Sequence, residues 1–418
     1  MTGPSRRDDP MPPAELPDDA SAFGLDPGRQ PAIALKAFTG SHDVRAAVSP
    51  DCSFELLKAA LDEATSELLV YIYNVSAPHI IERIAAARDR GAAVQIMYDA
   101  MDTSGDEVNR LKALGVTLKV APSRDPRRVF DVCHQKFAVV DKKLVILGSA
   151  NWATSSIPNR LPGQKRRAGN REWLVRIDHK GVAGWFRTLF EADFAIPDIP
   201  SFEIEVEGEG REEALPTPSF APLLDTPLQH FAKLAGTLTP VISPDNYFAH
   251  VKKVIDGARK RLYLQQQYIV GGSSAPSVEK LLAAVKARQD AGVDVRIIVS
   301  SRFAQNWAKT KDTLAAHGLT PRLKAINLKN FIHCHNKGVI ADDHVVVSST
   351  NWSENSIRRA REAGVEVHSK DLAQYFATVF EDDWDNGWTI AEGDAGPSFD
   401  IEVGEDVELA TVHPADQA

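Results

Sequence analysis

The stretches CHQKFAVVD, residues 133–141, and CHNKGVIAD, residues 334–342, carry one pattern twice. In each, a His and a Lys stand two apart and an Asp follows five residues after the Lys: His134, Lys136 and Asp141, then His335, Lys337 and Asp342. Working outward, the likeness continues. Ser49-Pro50-Asp51 is matched by Ser243-Pro244-Asp245. FELLKAALDEA from Phe54 and FAHVKKVIDGA from Phe248 place apolar residues at helical spacing. The apolar runs LLVYIYN from Leu68 and LYLQQQYIV from Leu262 read as strands. Second helices follow, HIIERIAAARDRG and VEKLLAAVKARQDAG, each closed by a Gly where a left-handed residue is favoured. VQIMYDA from Val94 and VRIIVSS from Val295 are further strands, and each half has a third helix-like stretch before its His segment. Beyond that segment, WFRTLFEADF from Trp185 resembles YFATVFEDDW from Tyr375, and PSFEIEV from Pro200 resembles PSFDIEV from Pro397.

Each half therefore reads β-α-β-α-β-β-α-β. Such alternation predicts an α/β fold of two pseudo-twofold-related lobes, each a mixed, mostly parallel sheet flanked by helices. The expected organisation is a disordered Pro- and Asp-rich leader over residues 1–31, a first lobe over 32–208, a Glu- and Pro-rich linker over 209–234, a second lobe over 235–405 and a tail over 406–418.

Bulk properties agree with two soluble lobes. The 418 residues are 43% hydrophobic, which is ample for a core without covalent staples. The net charge of −9 gives no global basic field for nonspecific nucleic-acid binding. Three cysteines, Cys52, Cys133 and Cys334, are too few for a disulfide framework and suit a reducing compartment. On a strand, Cys133 and Cys334 point away from the neighbouring His and read as buried filler. No secretory signal and no run of about 18 apolar residues is present, so the expected location is cytoplasmic, without a transmembrane segment.

The chemistry gathers around the motif. FAVVD, DKK and LVILGS form a hairpin in which His134 and Lys136 project from one face. Ser149 and Asn151 follow on or just after the partner strand, and Ser349 and Asn351 repeat the arrangement one residue closer to the motif Asp. An ammonium with hydroxyl and amide donors makes a cradle for an anionic tetrahedral phosphate. A His beside it can attack phosphorus or move a proton. One cluster makes half a site and two make a whole one: one His attacks, and the other protonates the departing oxygen. The two lysines supply the positive charge, so no metal and no other cofactor is expected.

The doubled HxKxxxxD pattern, followed by GSAN at residues 148–151 and SSTN at 348–351, resembles the phospholipase D superfamily. The resemblance covers nearly all of residues 45–395. It implies a two-lobed α/β fold with the active site between the lobes, and phosphodiester hydrolysis or phosphatidyl transfer through a phosphohistidine. It also implies that Asp141 and Asp342 support their hairpins more than they perform chemistry. Finally, it implies a carboxylate downstream of each Asn that orients a His. Glu172, with Asn170 just before it, and Glu362 occupy those places, without indicating which glutamate serves which histidine.

The substrate is less sharply defined. NRLPGQKRRAGNR, residues 159–171, and Arg358, Arg359 and Arg361 suggest basic bands near the cleft mouth, suited to an anionic lipid surface or a nucleic-acid backbone. Trp152 and Trp352 divide between core and pocket lining, and Gln267 and Tyr268 stand where a strand end could reach the site. Two motifs in one chain, an acidic total charge and the absence of nucleic-acid modules favour a phospholipid substrate met at a membrane surface. The leading expectation is a phospholipase D-like hydrolase, complete in one monomer, with His134 as nucleophile. A metal-independent nuclease acting on DNA or RNA is the main alternative. A cardiolipin or phosphatidylserine synthase-like transferase is a further one. A non-catalytic binding module is disfavoured, because both His-Lys pairs are intact.

Overall fold

The computed structural model describes residues 33, 35–100, 105–123, 129–160, 169–196 and 225–395. The expected leader and tail, most of the linker, the segments from Pro200 and Pro397, and Lys165, Arg166 and Arg167 lie outside the described residues.

The first lobe runs β1 (Phe38–Ser49), α1 (Ser53–Asp62), β2 (Glu67–Ile72), α2 (Pro78–Asp89), β3 (Ala93–Tyr98), α3 (Gly105–Ala113), β4 (Thr117–Val120), β5 (Lys136–Val140), β6 (Leu144–Gly148), β7 (Glu172–Asp178) and α4 (Lys180–Phe194). The second repeats it as β8 (Gln229–Ser243), α5 (Tyr247–Gly257), β9 (Arg261–Gln266), α6 (Pro276–Asp290), β10 (Asp294–Val299), α7 (Ala304–Ala316), β11 (Leu323–Ala325), β12 (Lys337–Ala341) and β13 (His344–Ser348). A short α8 (Glu354–Arg358) is inserted before β14 (Glu362–His368) and α9 (Lys370–Asp385), and α10 (Ile390–Ala395) follows. Gly91 and Gly292, with φ of 95° and 83°, close α2 and α6 in the left-handed region that glycine adopts without strain.

The strands form one continuous sheet in the order β11-β10-β9-β12-β13-β14-β8-β1-β7-β6-β5-β2-β3-β4. Read from its centre, that order is the same in both directions once β8 is matched to β1. The lobes join through the antiparallel pair β1–β8, in which Phe38 faces Leu238 and Ala46 faces Gln229. An antiparallel pair carries a twofold axis between its strands, so this junction imposes the pseudo-symmetry. Residues 229–234, expected in the linker, are thus the first six of β8. The opening segments of both strands are largely exposed, which hid them from a search for apolar runs.

The mixed α/β sheet flanked by helices is as expected, but its weighting toward parallel pairing is not. Parallel pairs are confined to β2-β3-β4 and β9-β10-β11 at the two ends, and the remaining neighbours are antiparallel. Crossover helices join adjacent strands in parallel only at those ends, whereas the motif hairpins β5–β6 and β12–β13 run antiparallel by construction. The core crosses the lobe boundary. Trp173 on β7 packs on Phe376 of α9 with ring centroids 4.6 Å apart, and it fills the space above Gly338 of β12, where a Cβ would meet its ring at 2.3 Å. Trp352 belongs to this core and donates to the Tyr247 hydroxyl at 3.2 Å, while Trp152 is buried in a separate first-lobe cluster with the α1 and α2 side chains.

Candidate active site

β5 and β12 begin at Lys136 and Lys337, so the histidines sit just before the first residue of their strands, at the edge of the sheet body. Short bridges across the pseudo-axis fix both segments. The His134 amide donates to the Arg361 carbonyl at 2.9 Å, and the His335 amide donates to the Arg171 carbonyl at 3.1 Å. The two imidazoles meet in the middle with ring centroids 6.4 Å apart.

The carboxylates are wired crosswise. Nδ1 of His134, in the first lobe, is 3.0 Å from both oxygens of Glu362, in the second. Nδ1 of His335 is 2.7 Å from Oε1 of Glu172. With Nδ1 engaged, Nε2 of each ring is left for a substrate. Lys136 and Lys337 are buried beside the rings and donate to the carbonyls of His134 and His335, the second at 2.5 Å. The buried Oδ1 of Asn151 and of Asn351 has no protein partner.

Ser149 and Ser349, expected at the phosphate, instead serve the glutamates. Each hydroxyl donates to its Glu at 2.5 Å and accepts a backbone amide, from Trp173 or Ala363. Ser156, which the motif did not single out, donates to the other oxygen of Glu172 at 2.8 Å. Asp141 and Asp342 stand away from the histidines at the far ends of β5 and β12. Asp141 accepts from the amides of Thr65, Ser66 and Glu67 and from two of their hydroxyls. Asp342 accepts from the amides of Arg259, Lys260 and Arg261. Both anchor the start of the neighbouring strand and form no part of the cleft, which corrects their grouping with the catalytic residues.

Of the expected basic bands, the described arginines are engaged by protein groups, and Arg171 and Arg361 form buried ion pairs. Arg171 is buried between Asp383 at 2.8 Å and Asp51 at 3.2 Å, and its guanidinium lies 4.3 Å from the centre of the Phe331 ring. Arg361 repeats this with Asp193 at 2.8 Å, Asp245 at 3.2 Å and Phe130 at 4.3 Å. Each arginine takes one carboxylate from each lobe, so these pairs clamp the junction. Arg160 binds Asp225, Arg358 donates to Ser277, and Arg359 pairs with Asp131. The matched SPD and FEADF/FEDDW segments carry these aspartates, and the repeat itself was the signal for them.

Burial depresses both motif histidines. His134 is lowered by desolvation, with Glu362 opposing and Lys136 assisting. His335 lies well below the ordinary value through desolvation and then Lys337, Lys136 and His134. Burial raises Glu172 above the usual carboxylate range, against Lys337 and its hydroxyl donors. Burial also raises Cys52 to about 12 and lifts Cys133 and Cys334, so the three thiols stay protonated. Among the described residues, no group of three or more His, Cys, Asp or Glu side chains is placed to hold a metal ion, and no helix is long and apolar enough to cross a membrane.

A family model described as "Cardiolipin synthase, PLD-like domain" matches residues 57–194 and 251–384, one match in each lobe. A cardiolipin synthase of Listeria monocytogenes serotype 4b is 22% identical over 367 residues, covering 82% of this chain and 69% of its own. A mitochondrial cardiolipin hydrolase of Mus musculus is 32% identical over 111 residues, covering 26% of this chain and 48% of its own. The crystal structure of phosphatidylserine synthase from Haemophilus influenzae Rd KW20 shares the fold with a TM-score of 0.56 at 12% identity, covering 81% of this chain and 85% of that one.

Proposed function

The chain belongs to the phospholipase D-like family, and from that premise we propose that it exchanges the alcohol on a phospholipid phosphodiester through a phosphohistidine intermediate. The observation that carries this reading is the crosswise His–Glu wiring around two imidazoles 6.4 Å apart, a gap suited to one tetrahedral phosphorus. Nε2 of His134 attacks phosphorus as the bond to the leaving oxygen breaks, and that oxygen takes a proton from Nε2 of His335. An incoming hydroxyl then gives its proton to His335 and its oxygen to phosphorus, and the P–N electron pair returns to His134. Lys136 and Lys337 offset the charge on the phosphoryl oxygens. The raised Glu172 beside His335 supports that pair as the proton reservoir, since a buried carboxyl gives up its proton reluctantly. Glu362 balances the positive charge that His134 gains on attack.

The relatives move the balance away from the leading sequence expectation. The curated relative aligned over most of the chain is named a synthase, which favours transfer to an alcohol, while the hydrolase relative keeps transfer to water as the second reading. Both names favour phospholipid over nucleic acid. The burial of Arg160, Arg171, Arg358 and Arg361 also weakens the nuclease reading, because those charges are already spent on protein carboxylates and hydroxyls. The site is complete within one chain, which supports a working monomer. Purified protein offered phosphatidylglycerol vesicles with glycerol, the same vesicles without it, and single-stranded DNA separates these readings. Exchange of labelled glycerol into lipid is the expected result. Phosphatidic acid as sole product would convert the reading to hydrolysis, and DNA cleavage with intact lipid would replace it.

A further inference from the structure

The two sides of the cleft are built on the same backbone but lined differently. On the first side, Tyr73 follows β2 and sets its ring edge-on to His134, with centroids 4.7 Å apart. It forms a small apolar cluster with Val132, two residues before His134, and Ala360, just before Arg361. Pseudo-symmetry maps these positions onto Gln267, His333 and Asn170. The register fixes the first match, since Ile72 pairs with Lys136 as Gln266 pairs with Lys337. The others follow from position, His333 standing two residues before His335 and Asn170 just before Arg171. All three second-side groups are polar, and all are nearly inaccessible: His333 is 2% exposed, Gln267 4% and Asn170 1%.

These groups are held, yet not satisfied. The Ser300 hydroxyl meets Nδ1 of His333 at 2.9 Å, while the Ser300 amide donates to the Gln267 carbonyl at 3.2 Å, so one residue ties two of the three together. The His333 ring lies against His335 with centroids 5.5 Å apart. Nδ2 of Asn170 donates to Ser156, which itself donates to Glu172. Oε1 of Gln267 and Oδ1 of Asn170 are buried with no partner. Two buried side-chain carbonyls left without a protein partner point to donors supplied from outside.

We propose that Gln267, His333 and Asn170 form a polar subsite on the His335 side of the cleft that holds a small hydroxyl-rich alcohol, the one leaving or entering at phosphorus. The inference deepens the phosphohistidine reading and rests on it. In-line displacement puts the departing oxygen opposite the nucleophile, hence on the side of His335 and its polar wall. The Tyr73–Val132–Ala360 wall offers no donors or acceptors from two of its three members and shields His134 from hydration. Hydroxyl hydrogens suit the two unpaired carbonyls, whereas the Lys337 and Arg302 charges near His333 oppose an ammonium headgroup.

The test compares glycerol with 1-propanol and ethanolamine as acceptors on phosphatidylglycerol vesicles, in the full chain, with phosphohistidine trapping run in parallel. Wild type is expected to favour glycerol over 1-propanol by about tenfold or more in kcat/KM. His333→Val with Asn170→Ala installs the residues that the other wall already carries on the same backbone. That pair should bring the glycerol-to-propanol ratio down toward unity while trapped phosphohistidine remains detectable. An unchanged ratio in the variant, a wild type without preference, or a preference for ethanolamine would overturn the subsite and leave the phosphohistidine reading standing. Absence of any trapped phosphohistidine in wild type would overturn both.

Discussion

Tyr73 and Gln267 occupy the same register position in their lobes, one against an imidazole as a flat apolar ring, the other as an amide with an unpaired oxygen. A few residues away, Arg171 and Arg361 are duplicates down to the distances to their carboxylates and aromatic rings. The arginine clamps that hold the lobes together match, and the walls flanking the two histidines do not. The difference teaches where the two halves are interchangeable: as scaffolding they are one solution used twice, and as chemistry they are complementary parts.

Removing the histidines should have the largest effect. His134→Ala and His335→Ala are each expected to lower turnover by about 10⁴-fold or more, in the presence or absence of a chelator. With an aryl phosphodiester, whose leaving group needs no acid, His335→Ala should still accumulate label on His134 and His134→Ala none. Label on residue 335 would exchange the roles assigned to the halves, and a strict metal requirement would sink the mechanism. Arg171→Met and Arg361→Met strand buried carboxylates and should each cost about 3–5 kcal/mol by denaturant unfolding. Similar losses fit interchangeable scaffolding, and a clear inequality breaks it. Glu172→Gln and Glu362→Gln keep shape but lose charge, for an expected drop of about 10²-fold in kcat each. Only Glu172→Gln should shift the pH profile of the step that needs a proton donor; the same shift in Glu362→Gln would erase the distinction.

The smallest effect concerns the motif aspartates. Burial alone would raise both, but the amides of residues 65–67 and 259–261 overcome it and hold Asp141 and Asp342 below the usual carboxylate range. A lowered folded-state value means that the stabilisation is complete above the unfolded value near pH 4 and is lost as pH falls toward the folded one. Asp141→Asn and Asp342→Asn should therefore flatten the acid end of the stability curve, at a cost of about 1 kcal/mol near neutrality. The first should cost more, because Asp141 also accepts two hydroxyls.

Much of this was legible in the chain. The repeat, the hairpins and the closing glycines follow from spacing, because each reflects local periodicity or turn chemistry, and the two glutamates follow from the family resemblance. What escaped depends on the twofold junction. A repeat says that Glu172 and Glu362 are equivalent, but not that each reaches across to the other lobe's histidine. The exposed opening segments of β1 and β8 gave no apolar run to mark the seam. The arginines around the motifs looked like surface charge because their aspartates lie far away in sequence. Ser149 and Ser349 were assigned to the phosphate because a hydroxyl near a His-Lys pair could serve either the anion or the carboxylate, and only geometry separates the two. His333 stands where the repeats disagree, at a position that a search for likeness passes over.

The β1–β8 seam has a consequence for inheritance. Two identical subunits meeting at such a seam would receive every substitution in duplicate, once on each wall, so any gain at one histidine would be repeated at the other. Covalent union ends that constraint. A histidine at residue 333 leaves residue 132 a valine, and a tyrosine at residue 73 leaves residue 267 a glutamine. With both walls in one chain, a substitution on one side of the cleft leaves the other side unchanged.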